Sequence, residues 1–227
     1  MSRANQRARQ TAHCLMQIEA VLFRPEDPFT FTSGRVSPVY VDCRKIISFP
    51  RARANLMALA VEQVNEVCGF EAFDVIAGGE TAGIPFAAWI ADLLGLPMAY
   101  VRKKPKGFGR NARIEGVVKP GDRALLVEDL ATDGGSKIGF IEALREAEAE
   151  AKHSFVVFHY GIFPEGIARL EEAGVSLHAL ATWWDALAVA ESDGYLDKQG
   201  IATVRAFLEN PNAWSAAHGG KTSEDLA

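Results

Sequence analysis

The run Ala124-Leu125-Leu126-Val127, followed at once by Glu128 and Asp129, constrains the fold of this chain more than any other stretch. Four consecutive apolar residues without polar alternation describe a strand covered on both faces. That is the condition of a parallel sheet with helices above and below it. The pattern recurs between Phe73 and Ala181, where strands are expected at 73–77, 98–101, 124–127, 155–158 and 177–180, and helices at 82–94 and 135–149. Such βα alternation defines an α/β fold, and ligands of open α/β sheets sit at the carboxyl ends of the strands.

The first 70 residues read differently. A helix is expected around Arg7 to Ala20, then a turn at Ser33-Gly34 and an extended run from Val36 to Arg44. In that run Tyr40, Asp42 and Arg44 share one face and Val39, Val41 and Cys43 the other, the period of a half-covered strand. With 227 residues the chain is read as one domain over 1–211: a small hood over about 1–70, an α/β core over about 71–185, and C-terminal helices to 211. The stretch 212–227 has no periodic apolar face and is expected to be a flexible tail.

Charge and composition narrow the function classes. The 24 Lys+Arg against 29 Asp+Glu give a net charge of −5, which argues against general affinity for nucleic acid or anionic membrane. Cys14, Cys43 and Cys68 share no C-x-x-C spacing, and their odd number suits a reducing compartment. Pro85, Asp92 and Pro97 break the most apolar window, and no apolar segment follows Arg3, Arg7 and Arg9. A soluble, cytoplasmic protein is the expectation. The five histidines show no H-x-x-x-H spacing and no paired cysteine, so a structural zinc site has little support in the sequence.

Three segments carry candidate chemistry. The first, Glu128 to Ser136, joins the buried strand to a helix through a hydroxyl- and glycine-rich turn. A helix N-terminus offers backbone N–H groups and the positive end of a dipole, with Thr132 and Ser136 as further donors to a phosphate. Glu128 and Asp129 can accept from sugar hydroxyls or bind hydrated Mg²⁺. The competing reading is an ordinary N-cap with two solvated acids. It is not a Walker A loop, because Lys137 follows Ser136 instead of preceding it.

The second segment, Arg102 to Arg113, holds six cations and no acid in twelve residues. Such a stretch repels itself unless an anion neutralises it, and Gly107, Gly109 and Gly116 would let it close as a lid over a polyphosphate. A nucleic-acid patch with Phe108 stacking is the alternative, and the G-x-G-x-x-A match over Gly107 to Ala112 is weak because Gly116 and Pro120 prevent a following helix. The third, Gly78-Gly79-Glu80-Thr81-Ala82-Gly83, leads into another helix, and its small residues permit close approach of a ligand or simply form a tight turn.

Together with Thr32-Ser33-Gly34-Arg35-Val36-Ser37-Pro38-Val39-Tyr40, these segments resemble, in kind and order, the type I phosphoribosyltransferases, and within them the orotate-using branch. The resemblance spans about 28–185. It implies a parallel-sheet, Rossmann-like type I phosphoribosyltransferase fold with a small N-terminal hood, and transfer of phosphoribosyl from phosphoribosyl diphosphate to orotate in pyrimidine biosynthesis. Glu128 and Asp129 would hold the ribose hydroxyls, and Leu130, Ala131, Thr132, Asp133, Gly134, Gly135 and Ser136 the 5-phosphate segment. Thr81 and Ala82 would lie along the diphosphate. Tyr40, Val41 and Thr132 would face orotate. Arg102, Lys103 and Lys106 would form a diphosphate-binding lid shared across a homodimer, and with Asp129 would carry catalysis. Mg²⁺ would be held mainly by substrate, with Asp129 acting through water.

The chain departs from the family pattern at three positions. Phe108 stands where the family's loop carries histidine, Thr32 where many members have lysine, and His159-Tyr160 where an Asp-Arg pair is usual. Lys104, Arg110 and Arg113 are the expected compensation. A transferase for another base, or a non-catalytic regulator binding the same donor, are the competing functions.

Overall fold

The computed structural model describes residues 2–106, 113–132 and 135–226. Two compact units emerge, one from residues 1–49 and 181–227 and the other from 50–180.

The first unit opens with α1 (Arg3–Gln17), capped by the Ser2 hydroxyl, which accepts from the Asn5 N–H. Four short strands follow: β1 (Val21–Phe23), β2 (Phe29–Thr30), β3 (Val36–Ser37) and β4 (Val39–Val41). The extended run expected from Val36 to Arg44 is therefore broken. Pro38 has no N–H to give a ladder, and the chain changes partner there, β3 pairing with β2 and β4 with β1. After Val41 the Asp42 carboxylate accepts from the Arg44 N–H and starts a 3-10 turn over Cys43–Ser48. The alternation itself holds, with Val39, Val41 and Cys43 buried and Arg44 exposed.

The second unit contains α2 (Pro50–Cys68), β5 (Val75–Gly79), α3 (Gly83–Leu94), β6 (Met98–Val101), β7 (Ile114–Glu115), β8 (Arg123–Ala131), α4 (Gly135–Glu146), β9 (Glu150–His159), α5 (Pro164–Glu172) and β10 (Ser176–Thr182), the last crossing into the first unit at residue 181. Its six-stranded sheet runs β10-β9-β8-β5-β6-β7. β8 pairs in parallel with β5 and β9, and β6 in parallel with β5, so the sheet is mostly parallel as expected. β7 is an antiparallel edge that the sequence pattern did not reveal.

β8 is central, and residues 124–128 are all buried. Ala124 and Leu126 join Val75, Ala77 and Ala99 under Phe140, Ile141 and Leu144 of α4, while Leu125 and Val127, on the other face, have no exposure either. That is the two-sided burial the unbroken apolar run implies. α4 stops at Glu146, short of the expected 149, because Glu148 turns left-handed (φ 67°) and the Ala149 N–H bonds back to the Leu144 carbonyl.

The chain returns to the first unit with α6 (Trp183–Ser192), α7 (Lys198–Glu209) and α8 (Pro211–Ala217). α6 starts in a capping box between Thr182 and Asp185. Of the stretch expected as a tail, 212–217 belong to α8 and 224–226 to a 3-10 turn: Trp214 is buried on Phe207, and the buried Ser215 hydroxyl accepts from the Val36 N–H at 3.0 Å and donates to the Lys221 carbonyl at 2.7 Å. Seven residues are too short to show a period, so its burial was not legible.

Candidate active site

β6, β5 and β8 are parallel neighbours, so the segments that follow them meet at one edge of the sheet. This brings together Arg102, Lys103 and Lys106 after β6, Thr81 and Ala82 after β5, and Glu128 to Thr132 at the end of β8, with Gly135 and Ser136 opening α4. Asp133 and Gly134 lie outside the described residues, as do Gly107, Phe108, Gly109, Arg110, Asn111 and Ala112. Tyr40 and Val41 belong to the first unit, where Val41 is buried and Tyr40 packs against the rings of Phe29 and Phe31 at 5.5 and 6.0 Å.

The two acids of β8 differ sharply. Asp129 is half-buried, whereas Glu128 is 8% exposed and its carboxylate lies over the β5 turn. A Cβ added at Gly79 would come within 2.7 Å of the Glu128 Cδ, and one at Gly83 within 2.8 Å of its Oε1. The small residues of that turn thus make room for Glu128, where the sequence suggested room for a ligand. Burial raises the Glu128 carboxyl to about 7, Lys137 pulling it down and Asp129 pushing it up. Its Oε1 is buried without a hydrogen-bond partner in the protein, an acceptor site waiting for a donor.

Lys137, noted in the sequence only for failing the Walker A pattern, is a structural element of the site. Its side chain is almost fully buried, its Nζ donates to the Leu130 carbonyl at 2.7 Å and stands 3.9 Å from Glu128 Oε2. The Ala131 carbonyl accepts from the Tyr160 N–H at 2.8 Å, which ties the end of β8 to β9. His159, paired with Ala131 in register, is buried and held below the ordinary histidine range by desolvation and by the Lys137 charge. The sequence marked His159 only as a departure from the family pattern and gave Lys137 no role, because the contact of Lys137 with the end of β8 depends on how α4 packs and that of His159 on strand register.

The described part of the basic segment is less self-repelling than its composition suggests, because acids from elsewhere reach it. The Lys103 N–H donates to the Glu80 carboxylate at 2.8 Å. Glu115 of β7 lies 3.4 Å from Arg102 and 3.8 Å from Lys106. The segment's ends are held together by the Arg102 N–H on the Arg113 carbonyl at 2.7 Å and the Arg113 Nε on the Arg102 carbonyl at 3.0 Å.

α3 starts after Ala82 with no side-chain cap, and α4 starts at Gly135, the two helices following the neighbouring parallel strands β5 and β8. Helix N-termini after two neighbouring parallel strands, with Glu128 and Asp129 at the end of one strand and cations after the next, suit a sugar carrying anionic groups at both ends. The chain belongs to the phosphoribosyltransferase family, whose phosphoribosyl transferase domain model matches residues 48–173. Among curated relatives, it is 60% identical over 210 residues to an orotate phosphoribosyltransferase of Cereibacter sphaeroides (strain KD131), covering 92% of this chain and 90% of the relative. It is 56% identical over 215 residues to that of Roseobacter denitrificans, covering 95% and 96%. The crystal structure of orotate phosphoribosyltransferase from Aeropyrum pernix superposes with a TM-score of 0.66 at 30% identity, covering 82% of this chain and 99% of that one.

Proposed function

We infer that this protein is an orotate phosphoribosyltransferase, transferring the phosphoribosyl group of phosphoribosyl diphosphate to orotate to give orotidine 5'-phosphate and diphosphate. The observation that carries the reading is the end of β8, where Glu128 and Asp129 precede α4 and stand next to β5, the strand that leads into α3. It is supported by the identity to curated orotate phosphoribosyltransferases over nearly the whole chain.

In this reading the start of α4, with Thr132 and Ser136, receives the 5-phosphate, and Glu128 Oε1 and Asp129 accept from the ribose hydroxyls. The turn at Thr81 and Ala82 lies along the diphosphate. Tyr40 and Val41 serve orotate. As the bond from C1 to the diphosphate breaks, positive charge grows on the ribose and negative charge on the leaving group. Arg102, Lys103 and Lys106 stabilise the latter more in the transition state than in the ground state, which is the condition for acceleration.

One half-exposed carboxylate at the strand end, Asp129, beside a phosphorylated substrate fits Mg²⁺, which keeps several waters and binds through one or two carboxylates plus phosphate oxygens. Bound there, Mg²⁺ would supply charge neutralisation on the diphosphate. A homodimer in which each protomer's basic segment serves its partner's site, and a cytoplasmic location, complete the proposal. Cys14, Cys43 and Cys68 are in no disulfide among the described residues, and no helix among them is long and apolar enough to cross a membrane.

The test is diphosphate release with phosphoribosyl diphosphate and Mg²⁺, comparing orotate, uracil, hypoxanthine and adenine, with and without chelator. Metal-dependent turnover with orotate alone is expected. Turnover with another base would reassign the acceptor, and donor binding without turnover would make the protein a regulator.

A further inference from the structure

At the other end of the sheet, Cys68, His153 and His178 come together from three elements. Cys68 is the last residue of α2, His153 stands early in β9, and His178 is in β10. The Cys68 Sγ lies 3.9 Å from His153 Nδ1 and 3.6 Å from His178 Nε2, and the two imidazole nitrogens are 3.0 Å apart. We propose that these three side chains form a binding site for a zinc-like divalent cation, with its fourth position left to water.

The geometry supports this directly. A tetrahedral ion with Zn–S of about 2.3 Å and Zn–N of about 2.0–2.1 Å needs ligand separations of about 3.6 Å for each sulfur–nitrogen edge and about 3.4 Å for the nitrogen–nitrogen edge. Every observed separation lies within about 0.4 Å of these, an adjustment that small side-chain rotations supply. The donor set of one thiolate and two imidazoles selects a borderline ion such as Zn²⁺ over Mg²⁺ or Ca²⁺, which take oxygen.

The surroundings are compatible. Desolvation lowers both imidazoles from the ordinary histidine range, with Lys152 adding to the effect at His153 and His153 at His178. Burial raises the Cys68 thiol, so the ion has to displace its proton. The three residues are only half-buried, and His153 lines a cleft with Lys152, Glu171 and Ser176 through which an ion can arrive. The Phe73 and His153 rings pack nearly perpendicular, their centroids 5.6 Å apart.

His153 pairs with Leu125, whereas the ligand-binding end of β8 reaches Ala131, six residues further on. At about 3.3 Å per residue that is roughly 20 Å, so the ion takes no part in phosphoribosyl transfer. Its effect is to tie the end of α2 to two strands.

The experiment uses tag-free, metal-stripped protein in excess Mg²⁺, titrated with Co²⁺ by absorption and with Zn²⁺ by calorimetry, alongside Cys68→Ser and His178→Ala. One Co²⁺ per chain with a thiolate-to-cobalt charge-transfer band is expected, displaced by one Zn²⁺ and accompanied by a rise in Tm. Both variants should lose the band and bind Zn²⁺ more than about tenfold more weakly, with turnover at saturating substrate within about twofold of the native chain. A Co²⁺ complex without a thiolate band, or Zn²⁺ affinity unchanged in Cys68→Ser, would overturn the proposal. So would the absence of stoichiometric binding to the native chain.

Discussion

The Lys103 N–H donates to the Glu80 carboxylate at 2.8 Å, so the first lysine after β6 is anchored by the turn after β5. The acid that fixes it comes from outside the basic segment. Replacing Glu80 by Ala removes a charge-assisted hydrogen bond and should lower kcat/KM for phosphoribosyl diphosphate about tenfold, the equivalent of about 1.4 kcal/mol. Glu80→Gln, which keeps an acceptor oxygen, should lose less than about threefold. Equal losses in the two variants would show that charge, not anchoring, is what Glu80 contributes.

Lys106 is mostly exposed and 3.8 Å from Glu115, an ion pair too weak to commit its charge. If it acts on the departing diphosphate, Lys106→Ala lowers kcat and kcat/KM together by more than about tenfold. A rise in KM alone would mean that it binds ground state and transition state equally.

Glu128 gives a pH dependence whose sign can be worked out. Its carboxyl, ordinarily near 4.5, is raised by burial to about 7 in the folded chain. Between these values the folded protein keeps a proton that the unfolded chain has lost, so stability falls as pH rises through the window and is level above it. The difference amounts to about 3 kcal/mol. Urea unfolding of Glu128→Gln from about pH 4.5 to about 7.5 should therefore show a decline smaller by that order than in the native chain. Parallel profiles would mean that the carboxyl ionises at its ordinary value.

Two glycines should respond oppositely to alanine. At Gly79 a Cβ would lie within 2.7 Å of both Phe140 and Glu128, so Gly79→Ala should cost about 1–3 kcal/mol and displace the acid. At Gly139, inside α4, the nearest atom is an Arg113 nitrogen at 3.8 Å, and Gly139→Ala should stabilise by about 0.5–1 kcal/mol. Thermal unfolding of both variants checks the pair, and a neutral Gly79→Ala would contradict the packing of Glu128 against the turn.

Ser215 is fully buried and serves both the Val36 N–H and the Lys221 carbonyl. Ser215→Ala leaves these groups without their partner and should cost about 1–3 kcal/mol in chemical denaturation. A change below about 0.5 kcal/mol would show the segment after α8 to be dispensable.

What the sequence by itself determined was whatever contiguous residues encode. The apolar run from Ala124 to Val127 required a strand buried on both faces, the following acids and hydroxyls marked its ligand end, and the motif order pointed to the phosphoribosyltransferases. These are local properties of periodicity and turn chemistry, so they survive without coordinates. Only the tertiary structure decided which distant residues meet. It placed Glu128 against Gly79 and Gly83, brought Glu80 and Glu115 to the lysines, buried Lys137 under Leu130, and set Cys68, His153 and His178 within reach of one ion. The histidines showed no metal spacing because the separations of 85 and 25 residues carry no period. The sheet order and the register of β9 and β10 bring them together, and strand order and register are set by long-range packing rather than by any local pattern.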